Sequence, residues 1–339
     1  MLIRTGDSYV AEYGLISFRV GKKLVVGDMK NPGLESVIYT AQENERLWRF
    51  EASEKYVCWF ADIENSDGVL HQYQLRCYNR ATGELSTVDA ADLRDTETMG
   101  PMTFTGTYDN KVYWVKTDYE QAITSIMQYN LDTNELAVIA SEGLLDNESC
   151  DCEIIHFMDV KDQYLFYATR GLADEQATEL IVLDLAAGGA ELLRVKLPEI
   201  DRGRNNTDGE RLFPVYIYGL SYDPPTQAFA LYYRSGERDG VAYYRVGDEK
   251  VTEFFTPSSQ DYLCADKIAL DAESKAIYYT VYSMISGMVA DHYEGIRFNY
   301  ETYTVKRLPR CFWMMSDGYM CFGAGDDGIN EVVWTIFDN

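Results

Sequence analysis

A recurring hairpin sequence constrains the fold more than any other feature of this chain. Residues 129–136 read Tyr-Asn-Leu-Asp-Thr-Asn-Glu-Leu and join two apolar runs. Asn and Asp between strand-like runs favour a tight turn, because they tolerate left-handed backbone and bond their own main chain. The segment therefore predicts a β-hairpin. Similar or degenerate hairpin sequences recur at 77–85, 183–192, 244–251 and 298–305.

Short aromatic runs recur in step with these hairpins. They lie at residues 56–60, 112–115, 164–167, 229–233, 277–280 and 319–322. Their spacing, roughly 40 to 65 residues, is typical of propeller blades. Helical periodicity is nearly absent, so the sequence predicts an all-β protein.

Counting the repeats predicts one domain over residues 1–339, a β-propeller of seven four-stranded blades. The predicted blades span 7–42, 46–90, 101–140, 152–197, 212–256, 261–308 and 309–339. The last blade lacks one strand, and residues 1–5 form a spare strand that could pair with residues 332–337 and close the ring. Closure would remove exposed sheet edges. The first unit fits the repeat least well, which leaves six blades as the alternative.

The blade pattern resembles the bacterial TolB-like and DUF5050-like propellers, and more distantly the YWTD propellers. Residues 113–118, Tyr-Trp-Val-Lys-Thr-Asp, are similar to the YWTD motif with two residues inserted. The resemblance implies a propeller fold. It implies no particular activity, because propellers serve many functions.

Charge and cysteine content limit the partners and the compartment. A formal net charge of −25 disfavours nucleic acid, whose phosphates would be repelled. The seven cysteines show no disulfide-scaffold spacing, and most lie in apolar runs, which favours free thiols and a reducing compartment. Neither a signal peptide nor a membrane-spanning segment is evident, so we expect a cytoplasmic protein, or an extracytoplasmic one if a leader was removed.

Acidic residues recur in the loops that join the second and third strands of the predicted blades. These loops share one face of a propeller. Solvation of a charged rim is one interpretation, and binding of a protein, peptide or cationic ligand is the other. The candidate residues are Asp62, Asp67, Asp118, Glu237 and Asp239.

The equivalent loop of the sixth unit, residues 283–292, is apolar instead. It carries Met284, Ile285, Met288 and Val289. Exposed apolar patches mark contact sites, and Met adapts to irregular partners. The sequence therefore predicts part of a partner surface here, or alternatively a plug over the channel.

Two further segments bear on metal binding and catalysis. His156, on a predicted innermost strand, is a candidate channel residue. Asp326, Asp327 and Asn330 form an acidic turn that could bind Ca²⁺ but lacks the EF-hand spacing, so the sequence otherwise predicts no cofactor. No nucleophile elbow, P-loop, zinc-binding motif or dinucleotide fingerprint occurs. We therefore expect a non-enzymatic binding or scaffolding protein. The alternative is a hydrolase or lyase with carboxylates and a histidine at the mouth of the central channel.

Overall fold

A computed structural model gives the fold of the chain. It describes residues 6–12, 15–20, 22–28, 35–52, 55–92, 102–118, 121, 123–143, 155–169, 178–198, 215–235, 238–255, 261–285, 288–308, 311–314, 319–324 and 331–336. Within these ranges the chain forms β-strands and turns, and no helix is present. It follows that no described segment is a helix long and apolar enough to cross a bilayer.

The described strands form consecutive antiparallel sheets, each built from neighbouring strands in chain order. Sheet 1 contains β1 (Gly6–Glu12), β2 (Leu15–Val20), β3 (Lys23–Asp28) and β4 (Glu35–Thr40). Sheet 2 contains β5 (Glu45–Ala52), β6 (Tyr56–Glu64), β7 (Leu70–Asn79) and β8 (Leu85–Asp92). Sheet 3 contains β9 (Met102–Tyr108), β10 (Lys111–Asp118), β11 (Ile123–Asn130) and β12 (Glu135–Gly143).

The remaining sheets continue the same order. Sheet 4 contains β13 (Ile155–Lys161), β14 (Tyr164–Thr169), β15 (Glu179–Asp184) and β16 (Ala190–Lys196). Sheet 5 contains β17 (Val215–Asp223), β18 (Ala228–Ser235), β19 (Arg238–Arg245) and β20 (Thr252–Phe255). Sheet 6 contains β21 (Asp261–Asp271), β22 (Ala276–Ile285), β23 (Met288–Asn299) and β24 (Thr304–Leu308). The three-stranded sheet 7 contains β25 (Cys311–Met314), β26 (Tyr319–Ala324) and β27 (Glu331–Ile336).

The first strands of successive sheets contact one another from sheet 1 to sheet 7. This is the arrangement of propeller blades, whose innermost strands line a common axis. The approach between β9 and β13 is close, since a Cβ on Gly106 would lie 2.5 Å from Val160 Cγ2. Only glycine fits there. Residues 1–5, predicted to close the ring, lie outside the described residues.

The turn between the third and fourth strands confirms the predicted hairpin chemistry. In four sheets an Asn or Asp ends the third strand, and its Oδ1 accepts the N–H groups of the residues two and three positions later, at 2.8–3.3 Å. These residues are Asn79, Asn130, Asp184 and Asn299. Left-handed backbone follows within the same turns, for example at Gly83 and Asn134. The turn is therefore specified by its own side chains.

The aromatic second strands form the core between sheets, as their composition predicts. Trp59 and Trp114 are fully buried, on sheets 2 and 3. Trp59 belongs to the cluster shared with sheet 1, and Trp114 lies in the cluster shared by sheets 2 and 3. Burying one large apolar side chain contributes about 1.5–3 kcal/mol, so these strands supply much of the stability.

Polar contacts also join neighbouring sheets. Asp89 on β8 accepts a hydrogen bond from Trp114 Nε1 at 3.2 Å and forms an ion pair with Lys116 at 2.8 Å. Glu142 on β12 pairs with Arg194 on β16 at 3.0 Å. In both cases the fourth strand of one sheet bonds to the next sheet, which fixes their relative position.

Candidate functional site

The strand order brings particular loops together at one end of the sheets. Each first strand begins where the second strand ends, as shown by the pairs Ile155–Thr169 and Val215–Ser235. The second-to-third connections therefore lie at the end where the first strands begin. We call this end the loop face.

The first strands carry a shared irregularity near the loop face. In each of sheets 1 to 6, the pairing between the first and second strands shifts register once. The shift lies between the fourth and sixth residues of the second strand. The single extra residues are Arg49, Phe104, His156 and Tyr218. Arg49 is exposed and has a φ of 46°, which is uncommon for a non-glycine residue. Such bulges are frequent beside active sites, where they re-aim a side chain.

An aromatic cluster surrounds two of these bulges on sheets 4 and 5. The His156 ring contacts the Tyr216 ring edge to face, with centroids 5.1 Å apart. Tyr216 lies nearly parallel to Tyr218 at 6.3 Å, and Tyr218 packs against Tyr232 at 5.8 Å. Tyr218 is 37% exposed, so the cluster opens to solvent through this ring. His156 thus lies on an innermost strand, as predicted, within an aromatic surface.

Asp62 has a structural partner, which a solvated rim residue would not require. Its carboxylate accepts a hydrogen bond from the indole Nε1 of Trp48. Partial burial raises the pKa of the Asp62 carboxyl, and the indole bond opposes that rise. Trp48 itself stacks on Phe60, with ring centroids 5.0 Å apart. Asp62 therefore anchors the inner part of sheet 2 near the loop face.

Asp67 and Asp118 remain open to solvent on the loop face. The backbone N–H of Asp67 donates to Asn65 Oδ1 at 2.9 Å, which shapes the β6–β7 turn. Asp118 Oδ1 accepts the N–H of Gln121 at 3.0 Å after β10. Because both residues are exposed, their charges contribute to a negative potential on the loop face.

The remaining acidic candidates are less fully described. Asp239 lies in β19, where its Cα pairs with that of Arg234. Glu237, Asp326, Asp327 and Asn330 lie outside the described residues, so the Ca²⁺ site stays a prediction. Among the residues that the structure does describe, no group of three or more His, Cys, Asp or Glu could hold a metal ion.

The apolar segment of sheet 6 differs from the loop that the sequence predicted. Met284 and Ile285 end β22, and Met288 and Val289 begin β23. Their backbones pair as Met284–Val289 and Ile285–Met288 at the tip of a hairpin. Strand pairing continues this far because apolar and β-branched residues suit a pleated sheet. The four residues therefore lie on the loop face, where they were expected, but in strands.

Comparisons with known proteins identify structures of similar fold but assign this chain to no family. No family model matches the sequence, and no curated protein matches it. Oligogalacturonate lyase from Vibrio parahaemolyticus is similar in structure, with a TM-score of 0.52 and 9% identity over 97% of this chain and 91% of that chain. A puromycin-hydrolyzing peptidase from Mycobacterium tuberculosis gives a TM-score of 0.56 at 9% identity, over 98% of this chain and 50% of that chain. This chain thus spans about half of the peptidase's length.

TolB from Acinetobacter baumannii is a weaker structural neighbour. Its TM-score is 0.41 at 15% identity, over 78% of this chain and 60% of that chain. The blade pattern predicted from the sequence is confirmed by the consecutive antiparallel sheets of the structure. At such low identity a shared fold does not transfer activity.

Sequence reasoning identified His156 but missed Arg49, Tyr216 and Tyr218. A β-bulge has no reliable sequence signature, since it arises when one strand accommodates an extra residue against its partner. The only available signal was the alternation of tyrosines within β17. A strand with two aromatic residues on alternate positions places both on one face.

Proposed function

We propose that this protein is a non-enzymatic binding or scaffolding propeller that engages a protein, a peptide or a cationic ligand through its loop face. The supporting observation is that exposed carboxylates from different sheets, Asp67 and Asp118, lie at the same end of a chain with a net charge of −25. A face lined by one sign of charge attracts the opposite sign and accelerates association.

A basic peptide tests the location of this surface. Binding of a hexalysine peptide to the full chain is measured by calorimetry at low and at moderate salt. The variant Asp67→Asn with Asp118→Asn removes two charges from the loop face and keeps both hydrogen-bond acceptors. The control Glu84→Gln with Glu135→Gln removes two exposed charges from the opposite end.

We expect the loop-face variant to weaken peptide binding several-fold more than the control does. Added salt should reduce the difference, because surface charges are screened within about 10 Å at 0.1 M. Equal losses in the two variants would show that the peptide reads net charge and no particular face. That result would reject the proposal.

The apolar hairpin tip forms the second part of the proposed surface. Met284→Asp with Met288→Asp should abolish capture of a native partner from extract and leave the fold intact. If the tip instead plugs the channel, the same pair should destabilise the protein by several kcal/mol, because buried unpaired charges are costly. A stable variant that still captures every partner would contradict the contact role.

The second candidate is a hydrolase or lyase with its site at the channel mouth. The raised pKa of the Asp62 carboxyl supports it, because perturbed carboxylates cluster at catalytic sites. The edge-to-face contact between His156 and Tyr216 suits the wall of a binding surface. Turnover of a polysaccharide or peptide library that Asp62→Asn and His156→Gln each abolish would favour this candidate.

The seven described sheets also support a finer proposal about architecture. We propose that they are seven blades of one domain, and that residues 1–5 supply the fourth strand of sheet 7. Sheet 7 has three described strands, whereas the other six sheets have four. We also propose a reducing, cytoplasmic compartment, on the ground that most of the seven cysteines lie in apolar runs without disulfide-scaffold spacing.

A further inference from the structure

We propose that the cluster of His156, Tyr216, Tyr218 and Tyr232 is a subsite for an ammonium group, either quaternary or at the end of a lysine-like side chain. This inference rests on the proposed function, because it names the chemistry that one part of the loop face would recognise. Ammonium groups bind over the faces of aromatic rings within about 6 Å of the ring centroid.

The ring geometry supports this chemistry. Tyr216 and Tyr218 are inclined by only 23°, and Tyr232 lies at 41° to Tyr218. His156 meets Tyr216 at 88°, so its plane stands nearly perpendicular to that of Tyr216. Tyr232 is 4% exposed and supports Tyr218 from the core, whereas Tyr218, at 37% exposed, can be reached by a ligand from solvent.

The backbone holds these rings in position. Tyr218 and His156 are the extra residues of bulges on β17 and β13, two first strands in contact with each other. Ile217, between the two tyrosines, is 1% exposed and packs in the core of sheets 4 and 5. A rigid strand that carries aromatic side chains loses little conformational entropy when a ligand binds.

The charge of the protein selects a cation over a neutral or anionic ligand. The whole chain is strongly acidic, and exposed Asp67 and Asp118 lie at the same end of the sheets as the aromatic cluster.

The test compares choline with 3,3-dimethylbutan-1-ol, which has the same shape and no charge, by titration into the full chain. We expect choline to bind and the neutral alcohol to bind at least fivefold more weakly. Tyr218→Ala should lower choline affinity about five- to tenfold, the range expected for a cation–π contact, and Tyr218→Phe should retain it.

The control is Tyr303→Asn, which removes a tyrosine that is 66% exposed in the β23–β24 turn at the opposite end. Asn tolerates the φ of 56° found there, so the fold should persist and choline affinity should not change. Equal binding of choline and the alcohol, undiminished binding by a folded Tyr218→Ala variant, or no choline binding would each overturn the subsite. Hexalysine binding that still depends on the loop-face carboxylates would then leave the proposed function standing. Loss of both responses would reject both.

Discussion

Replacing Arg76 should reveal how strongly the contact between sheets 1 and 2 stabilises the fold. The Arg76 guanidinium pairs with Glu45 Oε1, and the two side chains are 12% and 2% exposed. Glu45 Oε2 accepts the hydroxyl of Tyr39 at 2.6 Å and the N–H of Gln42 at 2.8 Å. Arg76 also donates to the Tyr39 hydroxyl and lies 5.2 Å from that ring. One buried ion pair thus joins β4, β5 and β7.

The expected cost follows from the burial of the carboxylate. Arg76→Met keeps most of the side-chain volume but leaves the Glu45 charge without its counter-ion. Breaking a buried pair on one side costs about 3–5 kcal/mol. Because the Tyr39 and Gln42 bonds remain, we expect the lower end, about 3 kcal/mol. The double variant Arg76→Met with Glu45→Gln removes both charges and should recover about 2 kcal/mol, since no buried charge is then left unpaired.

Urea unfolding followed by tryptophan fluorescence measures these differences, because Trp59 lies 5.3 Å from the Tyr39 ring. The control is Arg245→Met. That arginine pairs with Asp248 at 3.0 Å, but the two side chains are 60% and 35% exposed, so no measurable loss is expected. An Arg76→Met variant within about 1 kcal/mol of wild type would refute the buried-charge reasoning. A double variant as unstable as the single one would refute it as well.

Four further outcomes follow from the same structure. Deleting residues 1–6 should lower the melting temperature by several degrees, and an unchanged value would contradict ring closure. Burial raises the pKa of Asp62, so the folded state binds that proton more tightly than the unfolded state. The negative charge of Asp62 therefore destabilises the folded state when the pH is above the raised pKa. It has no such effect when the pH is below the pKa of the carboxyl in the unfolded state. Asp62→Asn should accordingly raise the free energy of unfolding at pH 7 and leave it unchanged at low pH; a loss at pH 7 would contradict this. Gly106→Ala should destabilise the fold by about 1–3 kcal/mol, because its Cβ would overlap Val160, while Gly143→Ala, with no atom within 4 Å, should not. Thiol titration of the denatured, unreduced protein should find all seven cysteines free, and a titre lower by two would show a disulfide.

Some features of the candidate site could be predicted from the sequence, and others could not. The loop-face position of Asp67 and Asp118 follows from counting strands, and the structure agrees. The partial burial of Asp62 could not be predicted, because it depends on Trp48, fourteen positions away, reaching across the strand pair. The aromatic cluster depends on contact between sheets 4 and 5, so no single stretch of sequence contains it.

The sequence by itself determined the elements that are local in the chain. The Asx turns at Asn79 and Asn130 are closed by bonds to the next few residues, and short aromatic runs mark the second strands of sheets 2 to 7, so both features are readable from short segments. Only the tertiary structure decided the register of the first strands, and with it the placement of Arg49, His156 and Tyr218. A shift of one residue moves a side chain to the other face of a strand, and the packing of the neighbouring sheets selects which register is stable.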